Sequence, residues 1–167
     1  MIIREIKIAD AESFSWVTQQ VEASSDYMLW ESGEREPDSE QQLKMIEKFQ
    51  QQRNSTILVA EHDSRLAGYL IAIGGNANRN RHSVHIVAGI LQEYRGKGIG
   101  SKLFQGLEKW AFQQGTHRLE LTVATRNNAG LSLYQKMGFE IEGTKRNSLF
   151  INGEFVDEYY MGKLLNT

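Results

Sequence analysis

The segment Tyr94-Arg95-Gly96-Lys97-Gly98-Ile99-Gly100-Ser101 carries the clearest chemistry in the chain. Its alternating glycines let backbone N–H groups approach a ligand with no Cβ in the way. It sits between a strand pattern and a helix pattern, where the first helical N–H groups and the helix dipole attract an anion. Arg95, Lys97 and Lys102 add positive charge, so the expected ligand group is a phosphate. A Walker loop is excluded, because Gly100 is followed by Ser101 and not by lysine. The dinucleotide fingerprint is excluded too. Gly100 arrives one residue early for it, and no second βαβ unit follows. The plain alternative is a glycine-rich strand-to-helix connection that binds nothing.

The surrounding pattern sets the frame for this turn. Residues 2–8, with Ile2, Ile6 and Ile8, read as a short strand. Asp10 is expected to cap a helix bearing Phe14, Val17 and Val21. Residues 22–37 look irregular. Ser39 and Gln42 have capping-box spacing ahead of a helix with Leu43, Ile46 and Phe49. Thr56–Glu61 and Leu66–Gly74 read as a β-hairpin, and Gly75–Arg81 as a polar loop. Ser83–Leu91 alternates as a strand. Ile99, Leu103, Leu107, Trp110 and Ala111 share one helix face that Gly115 closes. Leu119, Leu121 and Val123 form a strand, and Asn127–Met137 a short helix. Phe139–Phe150 and Phe155–Leu165 are strands around an Asn152-Gly153 turn. The strand, helix and strand over 83–123 make one crossover, so its two strands are expected to be parallel and the rest largely antiparallel. The expected fold class is α/β, a single domain over residues 1–167 with a mixed, mostly antiparallel sheet flanked by helices.

Composition narrows the partners. The chain has 167 residues, a net charge of −2, 40% hydrophobic and 24% charged residues, one proline and no cysteine. Without cysteine there is no thiol catalysis, disulfide framework or zinc ribbon. A reducing compartment fits, and the expected location is cytoplasmic. The balance gives no basic footprint for nucleic acid. No apolar run is long enough for a membrane span, and the start lacks a signal-peptide core. His82 and His85 fall on opposite faces of a strand, so no metal site is expected.

Arg95, Gly98 and Gly100 fit R-x-x-G-x-G, the turn of the GNAT superfamily of acetyl-CoA-dependent N-acetyltransferases, which this sequence resembles. Asn127-x-x-Gly130-Leu131-x-Leu133-Tyr134-x-Lys136-x-Gly138-Phe139 resembles the family's second signature, with Gly130 where alanine is more usual. Gly153-x-Phe155-x-Asp157-x-x-x-Met161 is similar to branches that acetylate small amines or protein N-termini. The element order matches as well. Gln92 departs from the proline common after the strand, with little consequence expected.

The resemblance implies roles. The co-substrate is acetyl-CoA, its pyrophosphate held by Gly96, Lys97, Gly98, Ile99, Gly100 and Ser101 with Arg95. Its pantetheine arm enters between parted strands and pairs near Ile90, whose N–H polarises the thioester carbonyl. Tyr134 protonates the departing thiolate; the plain alternative is packing with Leu131 and Met137. Asn127 bonds the CoA arm, caps its helix, or both. His85 stands where several relatives place a glutamate, and histidine suits the work of a general base at neutral pH. A strand-face histidine without a role is the alternative. Tyr27, Trp30, Glu31 and Glu34 are candidates for binding a cationic amine, or for packing a solvated loop. The acceptor is a small-molecule or protein amine, and a homodimer through the C-terminal strands is expected. Two other functions compete: a CoA-binding regulatory module with weak catalysis, and a transferase using another acyl-CoA.

Overall fold

Alternating apolar residues build a seven-stranded sheet in the computed structural model, which describes residues 1–36 and 38–166. Pro37, the end of the stretch read as irregular, lies outside the described residues, as does Thr167. The strands are β1 (Ile2–Glu5), β2 (Thr56–His62), β3 (Arg65–Gly74), β4 (Ser83–Ile90), β5 (Arg118–Ala124), β6 (Glu140–Ile151) and β7 (Glu154–Leu164). Their order is β1-β2-β3-β4-β5-β7-β6, and only β4 and β5 run parallel. Asn152 (φ 50°) and Gly153 (φ 79°) are both left-handed, the geometry a two-residue hairpin turn needs between β6 and β7.

Helices cover both faces. Helix α3 (Ile99–Gln114) buries Leu103, Leu107 and Ala111 against one face, with Val84, Ile86, Leu119 and Leu121 beneath. The short helix α4 (Asn128–Lys136) places Leu131, Leu133 and Tyr134 against the same cluster. Helices α1 (Ala11–Ser24) and α2 (Ser39–Gln50) cover the other face through Phe14, Val17, Val21, Ile46 and Phe49. Because side chains alternate along a strand, His85 and Gly89 of β4 and Glu120 and Thr122 of β5 point to the α1–α2 side.

Local details correct the sequence reading. Strand β1 ends at Glu5, and Ile8 lies 49% exposed in a 3-10 turn. Asp10 stands at the N-cap position of α1, but its side chain makes no capping bond there. Its carboxylate instead accepts the Lys7 N–H at 2.7 Å and two Arg4 nitrogens at 2.8 and 3.0 Å, closing the preceding turn. The Arg4 guanidinium, through those bonds, holds the Asp10 carboxyl below the usual range. Helix α1 runs on to Ser24, so the irregular stretch starts at Ser25. The cap of α2 is Asp38, which accepts the Gln41 N–H at 2.8 Å, and Ser39 is the first helical residue. Gln42 is buried there rather than reaching back as a capping partner.

The feature that matters most is where the parallel pair stops. Strands β4 and β5 are in register at Ser83↔Arg118, Val84↔Leu119 and His85↔Glu120, and no further. Both continue, β4 to Ile90 and β5 to Ala124. Each is held from its other side, β4 by β3 out to Gly68↔Ile90 and β5 by β7 out to Ala124↔Glu158. A gap with unpaired strand edges therefore opens in the middle of the sheet.

Candidate active site

The gap leads into a cleft of about 1480 Å³ that runs through the sheet from the start of α3 to the α1–α2 side. The glycine turn forms one end. Gly96 (φ 73°) and Gly98 (φ 80°) are left-handed, and a Cβ on either would meet no atom within 4 Å. Their freedom serves the path of the chain and leaves the space in front of it open. The first bond inside α3 runs from the Lys102 N–H to the Gly98 carbonyl. The N–H groups of Ile99, Gly100 and Ser101 thus have no partner within the helix. They form a ready anion cradle. Gly100 answers a different need, since a Cβ there would stand 2.7 Å from Leu133 Cδ2, so this glycine lets α3 approach α4. The Ile99 side chain is core, which leaves only its backbone for the cradle.

The bases around the turn are placed unequally. Arg95 lines the cleft and braces it, donating to the Ile90 carbonyl at 3.3 Å and to Ser24 Oγ at 3.1 Å. Lys97 does not line it; its ammonium lies 5.5 Å from the Tyr94 ring centroid. Ile90 stands at the open edge of β4, on the cleft. Asn127 caps α4, its Oδ1 accepting the Gly130 N–H at 3.0 Å, and also lines the cleft. Gly130 fits that cap closely, because a Cβ there would meet Asn127 Nδ2 at 2.7 Å.

Tyr134 and His85 line the same cleft from opposite faces of the sheet. The Tyr134 ring packs edge-on to Phe104 at 5.5 Å and to Phe139 at 6.2 Å. Burial raises its phenol above the ordinary value, so the hydroxyl stays protonated at neutral pH. Packing and a free proton donor are thus properties of one side chain. His85 sits half-buried beside Glu120 in the parallel register. His82 lies apart, its ring 6.3 Å from that of His117.

Of the loop candidates, Tyr27 and Trp30 line the cleft, whereas Glu31 and Glu34 do not. Glu34 turns back to accept the Glu31 N–H at 3.1 Å. Tyr27 donates to the Arg126 carbonyl at 3.3 Å. The loop is tied down through Arg35, which binds the buried Glu22 carboxylate (Nε to Oε1, 2.8 Å) and lies 5.1 Å from the Trp30 ring centroid.

Three carboxylates on the cleft, Asp26, Glu120 and Glu158, were missed by sequence reasoning. Glu120 accepts from Arg118 Nε at 2.9 Å, and Glu158 accepts from Ser148 Oγ at 2.9 Å. The crossover argument puts β5 beside β4, but only the register brings Glu120 next to His85.

Comparison with known proteins agrees with this geometry. The sequence model described as "Acetyltransferase (GNAT) family" matches residues 21–139. An L-amino acid N-acetyltransferase of Escherichia coli K12 is 32% identical over 111 residues, 64% of this chain and 67% of that protein. A spermidine N(1)-acetyltransferase of the same organism is 30% identical over 98 residues, 58% of this chain and 52% of that protein. The chain therefore spans about half the length of this second relative. A solved GNAT-family acetyltransferase from Streptococcus pneumoniae superposes with a TM-score of 0.94 at 31% identity, covering 99% of each chain. The parted parallel strands, the glycine cradle and the tyrosine on α4 thus stand in a chain that belongs to the acetyltransferase (GNAT) family.

Proposed function

We propose that the chain, as one N-acetyltransferase domain over residues 1–167, moves the acetyl group of acetyl-CoA directly to a primary amine. The observation that carries this reading is the gap beyond His85↔Glu120, with an anion cradle at one end and Tyr134 and His85 on its two faces. The named relatives act on amino acids and spermidine, which supports a small-molecule amine acceptor. Among the described residues no helix is long and apolar enough to cross a membrane, and a cysteine-free chain suits the cytoplasm.

The residues divide the work. Backbone N–H groups of Gly96 to Ser101 hold the pyrophosphate, with Arg95 fixing the turn and supplying charge and Lys97 adding charge from further out. The open edge of β4 at Ile90 pairs with the pantetheine arm, and Asn127 borders it. A backbone donor there polarises the thioester carbonyl. The amine nitrogen attacks the carbonyl carbon, the C–S bond breaks, the amine loses a proton and the thiolate gains one. His85, beside Glu120, takes the amine proton directly or through water. Tyr134 donates a hydrogen bond to the departing sulfur. Burial pushes its phenol up, away from a thiol's value near 8.5, so hydrogen bonding to the developing thiolate is its main contribution. Tyr27 and Trp30 border the acceptor's entry, while Glu31 and Glu34 act on an amine only from outside the cleft.

Isothermal titration with acetyl-CoA, followed by thiol release over an amine panel, tests the reading. Binding with amine-dependent release is expected. Binding without release points to a regulatory module, and release only with another acyl-CoA points to a different donor. Gly98→Val forces a β-branched side chain onto a left-handed position (φ 80°) and so both strains the turn and fills the open space before it. It should raise the acetyl-CoA Kd at least ~10-fold, about 1.4 kcal/mol, and an unchanged Kd would remove the pyrophosphate from this turn. We also propose a homodimer, supported by the exposed Phe150, Phe155, Tyr160 and Leu164 on the last two strands. Light scattering at tens of micromolar should give twice the chain mass, and a monomer refutes it.

A further inference from the structure

The α1–α2 end of the cleft has a chemistry of its own. Its wall is made by Phe14 and Val21 of α1, Met45 of α2, Met28 of the following loop, and Tyr69 and Ile71 of β3. Phe14, Val21 and Tyr69 belong to the buried core on this face, and Met28, Met45 and Ile71 pack half-buried against it. The wall is thus core surface turned towards an open chamber, and a ligand gains most there by burying an apolar group.

Polar groups interrupt it: Thr18 and Gln42 bond locally, Arg35 is held by Glu22, and Gln41 and the Tyr69 hydroxyl complete the set on the two helices and β3. Tyr69 is 2% exposed as a residue; its hydroxyl bonds no described residue, and since no buried side-chain oxygen or nitrogen among them lacks a partner, the hydroxyl keeps open surface on the cleft. The hydroxyl lies over Gly89, where a Cβ would stand only 2.8 Å away. A glycine at this point of β4 is what lets the phenol reach the cleft. Burial, reinforced by the Glu22 carboxylate, raises the phenol and keeps it a donor. A ligand oxygen placed against it takes over the hydrogen bond that water makes in the open cleft, and leaving the donor unpaired under a bound ligand would be costly. An amine nitrogen is a poor match, since accepting this hydrogen bond would occupy the lone pair that must attack.

A second cation on the acceptor finds little here. The buried carboxylate of this region, Glu22, is already held by Arg35, and Arg35 itself lines the cleft. Glu120 is engaged by Arg118. Asp26, exposed on the cleft-lining loop, and Glu158, which accepts from Ser148 Oγ and not from a cation, are the competing features that a polyamine would use.

We propose that the acceptor is a primary amine carrying a bulky apolar side group and, next to the amine, a carbonyl or carboxylate oxygen. The apolar group fills the chamber and the Tyr69 hydroxyl donates to the oxygen. This proposal rests on the acetyltransferase reading above.

Thiol release from acetyl-CoA tests it with L-phenylalanine, L-methionine, glycine, phenethylamine and spermidine. The two apolar amino acids should show kcat/KM at least ~10-fold above glycine and spermidine, the scale on which a hydrophobic pocket discriminates. Tyr69→Phe keeps the ring and should raise the KM for L-phenylalanine roughly 10-fold, as loss of a buried hydrogen bond does. It should leave the KM for acetyl-CoA and the rate with phenethylamine, which lacks the oxygen, unchanged. Met45→Glu, on a half-buried position, should narrow the gap between L-phenylalanine and spermidine. A preference for spermidine, or a Tyr69→Phe enzyme identical to the wild type, overturns the proposal while leaving the acetyltransferase reading in place. Acetyl-CoA binding with no acetylated amine overturns both.

Discussion

Tyr134→Phe is expected to lower kcat roughly 100-fold while the acetyl-CoA Kd stays within about two-fold, the range for losing one positioned proton or hydrogen-bond donor. The ring contacts with Phe104 and Phe139 survive the change, so a fall in rate reports the hydroxyl and not the packing. The phenol must be protonated to donate, and its value is raised by burial. Activity that depends on it should therefore persist through neutral pH, and its basic limb should lie above pH ~10. A limb well below that belongs to another group. His85→Gln provides the complementary test. It should depress kcat/KM at least ~10-fold near neutral pH while the acetyl-CoA Kd stays unchanged. If the rate survives, the amine loses its proton to water without help from this residue.

Leu107→Ala is expected to destabilise the fold by about 3 kcal/mol, since deleting a buried leucine combines lost transfer energy with a cavity. Leu107 is fully buried on the stripe that seats α3 against the sheet. The expected loss corresponds to a more than 100-fold change in the folding equilibrium, read as a lowered midpoint in urea at unchanged slope. The folded fraction should still bind acetyl-CoA, because the cradle lies two turns away at the helix start. Loss of binding in the folded fraction would mean that the cradle depends on packing along the whole helix.

The architecture was readable wherever the signal was local. The stripe of Leu103, Leu107 and Trp110, the Asn152-Gly153 turn and the hairpin of β2 and β3 each follow from spacing within one segment. The parallel pairing followed from handedness and the length of the crossover. Features that depend on distant partners were not readable. Asp10 looked like a helix cap, but Arg4 and the Lys7 N–H claim its carboxylate. Asp38 displaced Ser39 as a cap because the helix starts one residue earlier than the capping-box spacing implies.

The same division runs through the site. The glycine turn and Tyr134 stood out because their residues are close in sequence. Arg95's tie to Ser24 joins residues 71 positions apart, and Glu120 meets His85 only through register. Tyr69 lies within the Leu66–Gly74 strand pattern and was not singled out from the sequence. Only the glycine beneath its hydroxyl shows that the phenol faces the cleft.

The central claim is direct transfer of an acetyl group from acetyl-CoA to an amine in the gap between β4 and β5. Incubation of the protein with carbonyl-labelled acetyl-CoA and the amine panel, followed by mass spectrometry of the amines and of the protein, tests it in one measurement. The account predicts label on an amine nitrogen, at a rate cut by Tyr134→Phe, and none retained covalently on the protein. Label on the protein alone, or acetyl-CoA left intact across the amine panel, would contradict it.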